Sequence, residues 1–485
     1  MIQKFVQTAL VLSALMSAPA MAQTGMVAIP ETNSGDSAWI LTASALVLMM
    51  TLPGLALFYG GLVRAKNFLS VLVQCGAIAA IASVIWIVVG YSLAFSVNGN
   101  GFIGSLENFM FNGLLDSVRE GQTTGELAFA LFQMTFAIIT PALIVGAWVE
   151  RARFGWVVAF SALWSLLIYV PVTRWVWGGG FLAEQGVIDF AGGIVVHTTA
   201  GISALVVALM LGKRIGFPRT LMLPHSPALT VAGAGLLWVG WFGFNGGSAL
   251  AANDAAASAI INTHVGASVA AIVWLVIERI KVGKATAVGF ATGAVAGLAT
   301  ITPAAGVIGP GGAVILGILA GVVCFWFVGL VKGTLKIDDS LDVFAVHGIG
   351  GILGSVLLAV FASEALGGAG YAEGVGMASQ LWVQVKAVAI VGAGALGCCV
   401  GARLALAGQP VLMIGRAPVV QALQRGQVAR PLRHAHALDG AEHVAPARPL
   451  AGTQSRADLP GQHGRLRLLY HWPAGYLPAL RLFFG

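Results

Sequence analysis

Two histidines sit in the most apolar parts of this chain. His197 lies in DFAGGIVVHTTAG, eight residues after Asp189, and His347 lies in DSLDVFAVHGIGG, five residues after Asp342. Ionisable groups inside apolar spans are expensive and tend to mark pathways for polar species. Neutral imidazole has one donor and one acceptor nitrogen. Two rings sharing one hydrogen bond therefore each keep a nitrogen for a small molecule that both donates and accepts. Such a pair can also relay a proton, because imidazole titrates near neutrality. Asp189 and Asp342, at the starts of the two apolar runs, read as helix caps and backbone organisers.

A second group of residues suits a cation. RWVWGGG covers residues 174–180, FQMTFAIITPAL supplies Phe132 and Phe136, and WVGWFGFNGGSA supplies Trp241, Phe242, Phe244 and Ser248. An aromatic face attracts a cation by about 0.5–2 kcal/mol, and a serine hydroxyl accepts a hydrogen bond from an ammonium-type ion. Together they predict a weak cation site near one face of the membrane. His264 has no counterpart elsewhere and is read as structural, and His225 as a solvated loop residue.

The elements that must position these residues follow from composition. The chain has 485 residues, 58% hydrophobic and 9% charged, with a mean hydropathy of +0.88. Soluble domains carry about 25% charged residues, so the sequence reads as an all-α polytopic membrane protein. On a ruler of roughly 20 apolar residues per span, spans are expected near 37–63, 69–96, 126–149, 155–171, 192–212, 227–247, 256–278, 285–302, 311–331 and 343–361, with an eleventh from about Gln380. These ten to eleven transmembrane helices are expected to form two inverted five-helix repeats, the arrangement that places substrate at the repeat interface. His197 and His347 then enter from opposite faces. Each lies on the order of 10 Å inside its own face at helical rise, so the two can meet near the midplane.

Charge sets the expected orientation. Twelve basic residues (Arg64, Lys66, Arg151, Arg153, Lys213, Arg214, Arg219, Arg279, Lys281, Lys284, Lys332 and Lys336) fall on one set of alternate loops, against Arg119 and Arg174 on the other. The first set is expected to be cytoplasmic and the mature N-terminus outside. The start agrees: Lys4, a short apolar run and Ala20-Met21-Ala22 read as a signal peptide, residues 1–22, cleaved after Ala22. With the basic residues on loops and tail, the net charge of +7 points to no nucleic acid. Cys75, Cys324, Cys398 and Cys399 show no metal or disulfide spacing. Glycines every fourth residue at 289, 293 and 297, and at 317 and 321, read as close helix packing.

The stretches TLPGLALFYGGLVRAKN, FAIITPALIVGAWVERARF, WVWGGG, DFAGGIVVH, GWFGFNGGSALAAN, ITPAAGVIGPGGA and DDSLDVFAVHGIGGILG occur in order from about Ala38 to Gln384. They resemble the ammonium transporter family (Amt/Mep/Rh). The resemblance implies a homotrimer of eleven-helix subunits in a bacterial-type inner membrane, each with its own pore for ammonium or ammonia, and neither enzyme activity nor a cofactor. It implies an external ammonium site at Trp177, Phe136 and Ser248, a gate at Phe136 and Phe244, pore histidines at His197 and His347, and a structural role for Asp189. Ala345 and Thr198-Thr199 depart mildly from the family pattern. An ammonium sensor on the same scaffold is the alternative function.

After Gln384 the expected long eleventh helix and regulatory tail give way to VAIVGAGALGCCVGARLALAGQPVLMIGRAP. This reads as strand, Gly392-x-Gly394-x-x-Gly397 turn, helix and second strand, a dinucleotide fingerprint. It is similar to the N-terminus of 2-dehydropantoate 2-reductase, with Arg416 where an NADP phosphate contact would fall. The membrane domain is thus expected over 23–385, a Rossmann-like fragment, fused or frame-shifted, over 386–426, and an Arg/Pro/His-rich tail of little order over 427–485. The fragment lacks the rest of a sheet and a substrate domain, so the fingerprint is read as vestigial. A PII-type regulator, which the family's own tail would meet, is not expected.

Overall fold

The computed structural model describes residues 32–406, and the backbone of residues 435–438 and 441–444. Eleven helical segments make up the membrane part: α1 (Ser34–Leu62), α2 (Ala65–Phe95), α3 (Glu126–Trp148), α4 (Phe154–Val176), α5 (Gly193–Leu211), α6 (Pro227–Gly247), α7 (Asp254–Val282), α8 (Ala287–Ile301), α9 (Pro310–Thr334), α10 (Phe344–Phe361) and α11 (Met377–Leu406). Nine of these, α1 to α7, α9 and α10, are long and apolar enough to cross a membrane, among the described residues. The expected spans fall on the first ten, with α4 running on to Val176 and so taking Arg174 into its last turn.

Helices are the form this sequence must take in lipid, where each backbone polar group has to find its partner inside the segment. That rule also decides the fate of the dinucleotide fingerprint. Residues 388–391, expected as a strand, lie in the middle of α11, and Gly392, Gly394 and Gly397 lie in the same helix. From Ala387 to Ala402 the chain carries no charge. A lone strand there would leave its N–H and C=O groups unpaired, and glycine is tolerated in membrane helices. The eleventh helix is therefore present where the sequence suggested its loss, and helical structure continues past 385. Arg416 and the signal peptide lie outside the described residues. Of the tail, Ala435–Leu438 pairs antiparallel with Ala441–Val444.

The helices form two inverted sets, α1 to α5 and α6 to α10, that meet along α5 and α10. Both of these helices open with a π-helical turn, Gly193–Thr198 and Phe344–Gly348, and each turn carries its histidine. Glycine allows the crossing. A Cβ on Gly201 would strike the backbone of Gly348, and one on Gly351 would lie 2.7 Å from the Gly193 carbonyl and from His197 Cβ. Gly201 and Gly351 each lie four residues after their histidine, so the contact is symmetric. The glycine ladder in α8 and α9 packs as expected: Gly293 lies against Trp274 of α7, Gly317 against the Gly266 carbonyl and Val269, and Gly321 against Val273.

α11 packs on α5 and α10, and its glutamines brace the segment leading to Asp189. Gln384 accepts from Ile188 N–H at 2.8 Å and donates to the Ile188 and Ser355 carbonyls at 2.7 and 2.9 Å, while Gln380 donates to the Gly186 carbonyl at 3.0 Å. At one face, four loops are locked by charge. Glu150 takes Arg64 at 2.9 Å and Arg214 at 3.4 Å, and Asp338 takes Arg214 at 2.8 Å and Arg151 at 3.8 Å. His225 is not free in solvent: its Nδ1 lies 2.9 Å from the Val63 carbonyl, with Phe68 at its edge.

Candidate functional site: a ring-lined pore with a histidine pair

Asp189 fixes the start of α5. Its Oδ1 accepts from Gly192 and Gly193 N–H at 3.0 and 2.6 Å, and its Oδ2 from Ile194 and Val195 N–H at 2.9 and 3.0 Å. A helix start leaves four N–H groups without partners. One carboxylate takes all four, which lets the helix begin inside the protein, away from water. Gly192, at φ 112°, makes the turn into it. The Asp189 carbonyl in turn receives Trp177 Nε1 at 2.7 Å. Trp177 is held from its own side as well, since Arg174 in the same turn bonds the Ser96 and Asn100 carbonyls at 2.8 and 3.2 Å.

At α10 the structure corrects the sequence reading. Asp342 does not cap the helix; Asp339 does, accepting Phe344 N–H at 2.7 Å. Asp339 precedes His347 by eight residues, as Asp189 precedes His197. That shared spacing was the signal available in the sequence. Asp342 occupies the place of Gly192, three residues after the cap, and shares its left-handed backbone at φ 61°. A residue there lies past the cap, and the Asp342 carboxylate instead bonds Lys332 Nζ at 2.7 Å.

Between the two helix starts runs a line of rings. Trp177 meets Phe136 edge-on at 5.6 Å between centroids, Phe136 meets Phe244 at 4.3 Å, Phe244 meets His197 at 6.1 Å, and His197 meets His347 at 5.2 Å, nearly parallel. Trp241 also stacks on His197 at 5.5 Å, its N–H fixed by Thr302 Oγ1 at 2.8 Å. His197 and His347 are buried, with their Nδ1 atoms 3.2 Å apart. One Nδ1 must carry the shared proton and the other accept it, so the neutral rings are opposite tautomers. The accepting ring then carries its own hydrogen on Nε2, and the donating ring has a bare Nε2. His197 Nε2 has no hydrogen-bond partner among the described residues.

Two cavities reach this line from opposite ends. The first, about 310 Å³, is lined by Trp177, Phe136, Ser248, Gln133, Asp189 and Arg119, among others. Ser248 donates to the Phe244 carbonyl at 2.8 Å, which leaves its oxygen lone pairs able to accept. Gln133, which the sequence reading missed, is buried with Oε1 unpartnered among the described residues. The second cavity, about 140 Å³, is lined by His347, Lys332, Asp342, Ser340 and Tyr59, among others. Between them lies a space of only about 10 Å³, walled by His197, His347, Trp241, Phe244, Leu143 and further aliphatic residues. That is about the room one water-sized molecule needs.

The candidate residues Trp177, Phe136, Ser248, Phe244, His197 and His347 are thus brought into one path. Phe132 stands behind Phe136 at 5.0 Å. His264 stands apart, exposed on α7 beside Trp238 and Phe242.

Comparison with known proteins bears on this geometry. A family model described as Ammonium Transporter Family matches residues 38–414, and one described as Ketopantoate reductase PanE/ApbA matches residues 388–448, so the two overlap over residues 388–414. An ammonium transporter of Aquifex aeolicus is 47% identical over 338 residues, which cover 70% of this chain and 79% of that one. The crystal structure of Mep2 from Candida albicans aligns with a TM-score of 0.72 at 36% identity, covering 78% of this chain and 84% of that one. A structure described as a sensor Amt protein aligns at 0.71 and 31%, covering 75% and 91%. With its family model spanning most of the sequence and relatives this similar, the chain belongs to the ammonium transporter family.

Proposed function

We propose that this protein carries ammonium across the membrane by binding the ion at the Trp177 cavity, removing its proton and passing neutral ammonia between His197 and His347. The observation that carries the reading is the continuous line of rings from Trp177 to His347, closed by a constriction with room for one small molecule. An intact cation in an apolar constriction costs at least about 2.5–3.5 kcal/mol on the mildest scale for charged side chains. Ammonia avoids that, and the paired imidazoles offer it one donor and one acceptor. Potassium has no proton to give up, so the same path excludes it.

Roles follow from placement. Trp177 and Phe136 supply cation–π attraction and Ser248 an acceptor oxygen. Phe136 and Phe244 form the gate, Asp189 holds the start of α5, and His197 and His347 line the pore. The excess of basic residues on the Lys332 face supports a cytoplasmic location for it, with the Trp177 face and the mature N-terminus outside, residues 1–22 a cleaved signal peptide, and a bacterial-type inner membrane as the site. Exposed apolar residues such as Ile261, Ile272 and Val276 on α7 suit contact with lipid or with neighbouring subunits of a homotrimer. Sensing without flux is the weaker reading, since the likeness to the sensor structure is 31% against 47% for the Aquifex transporter.

Uptake of labelled methylammonium in cells lacking their own transporters tests the proposal. Cells expressing the full chain are expected to take it up, with Trp177→Ala raising the concentration for half-maximal uptake and His197→Ala cutting the rate. A chain that reaches the membrane and gives no uptake refutes it.

A further inference from the structure

The Lys332 cavity contains an ion pair that the transport path does not use. Lys332 Nζ, on α9, donates to Asp342 Oδ2 at 2.7 Å and to the Ser340 carbonyl at 3.1 Å. Asp342 Oδ1 is buried and unpartnered among the described residues. Arg151 fixes the loop that carries these oxygens, bonding Ser340 Oγ at 3.2 Å and the Asp338 carbonyl at 2.8 Å. Lys332, Ser340, Asp342 and His347 all line the same cavity.

The side chain amine of lysine is an ammonium ion on a tether, with the same charge and three N–H donors instead of four. Oxygens that hold it by carboxylate and carbonyl suit free ammonium equally. At the other mouth the basic side chain lining the cavity is Arg119, whose guanidinium pairs with Glu126 at 3.1 Å and lies over the Phe95 and Phe129 rings. The difference arises at one position of the inverted repeat, where one half has Gly192 and the other Asp342 in the same left-handed conformation. Non-glycine residues rarely hold that conformation, and strain of this kind collects at functional positions.

We propose that the oxygens of Asp342 and Ser340 form a second ammonium site, at the Lys332 mouth, which the Lys332 amine keeps occupied as a built-in competitor. Ammonium arriving from that side must displace the tethered amine, so the pore loads preferentially from the Trp177 side. This inference rests on the transport reading above.

The test uses the full chain in liposomes sorted by orientation, with labelled methylammonium flux measured from each face. Wild type is expected to half-saturate at a higher concentration from the Lys332 face than from the Trp177 face. Losing a charge-assisted competitor is worth about a factor of ten, so Lys332→Met should lower the Lys332-face value by about that factor, well beyond any change at the other face. Lys332→Arg should keep the asymmetry. The double variant Lys332→Met with Asp342→Gly should show no gain, and its glycine suits the left-handed backbone. Wild-type flux with no face-selective effect of Lys332→Met, or a gain that survives in the double variant, overturns the inference. Absence of wild-type flux from both faces would instead contradict the transport reading.

Discussion

Four backbone donors converge on the Asp189 carboxylate, so the start of α5 depends on one side chain. Each buried N–H left unpaired costs about 1–3 kcal/mol. Asp189→Ala is therefore expected to lose at least about 3 kcal/mol and much of the folded protein, with Asp189→Asn, which keeps one acceptor oxygen, less severe. Thermal unfolding in detergent checks this, and equal melting temperatures for the three proteins would contradict it. The sequence carried the apolar setting of both histidines, and their meeting is seen in the 3.2 Å contact. It misled on Asp342, because proximity to His347 was taken over matched spacing. Gln133 was invisible for a simpler reason. A glutamine on a helix shows its unpaired oxygen only once the neighbouring helices are in place.

Helices α5 and α10 touch through glycine, and the histidine pair depends on that approach. Forcing bulk into a packed contact costs about 1–3 kcal/mol or more. Gly201→Val should accordingly push α10 away, reduce folded yield and lower uptake. Gly76→Ala on α2, where a Cβ meets nothing within 4 Å, serves as the control and is expected to be neutral or slightly stabilising. Loss of yield in both, or in neither, would remove the glycine argument. The spans themselves were legible because hydropathy and length suffice to mark a helix that must satisfy its own backbone in lipid. The π-helical openings of α5 and α10 were not legible, since they depend on buried caps. In α11 the likeness to ketopantoate reductase holds in sequence from residue 388 on, while the strand it led one to expect is helix, because a glycine-rich apolar run fits either form and the surroundings decide between them.

At the scale of the whole molecule, the charged network on the Lys332 face ties together loops from both halves. Burial works against the charge of Glu150, yet hydrogen bonds from Arg64 and Asn67 hold its carboxyl down to about 2, from an ordinary 4.5. Asp338 is buried, which works against its charge, yet hydrogen bonds from Arg214 hold its carboxyl below the ordinary value. Both carboxyls thus ionise more readily in the folded protein. Their stabilising contribution is complete above the ordinary carboxyl range and declines as pH falls below it, for Glu150 from about 4.5 toward about 2. Melting temperature should stay level down to about pH 5 and then drop, and Glu150→Gln should flatten part of that drop. A drop of unchanged size in the variant would contradict the assignment.

The central claim is that ammonium crosses this pore without its proton. The most direct measurement is ion selectivity in liposomes containing the purified chain, with matched gradients of ammonium and of potassium. The account predicts ammonium-driven flux, sensitive to His197→Ala, with potassium permeation no greater than in protein-free liposomes. Potassium passing at a rate comparable to ammonium would mean that an intact cation traverses the constriction, and the account would be wrong.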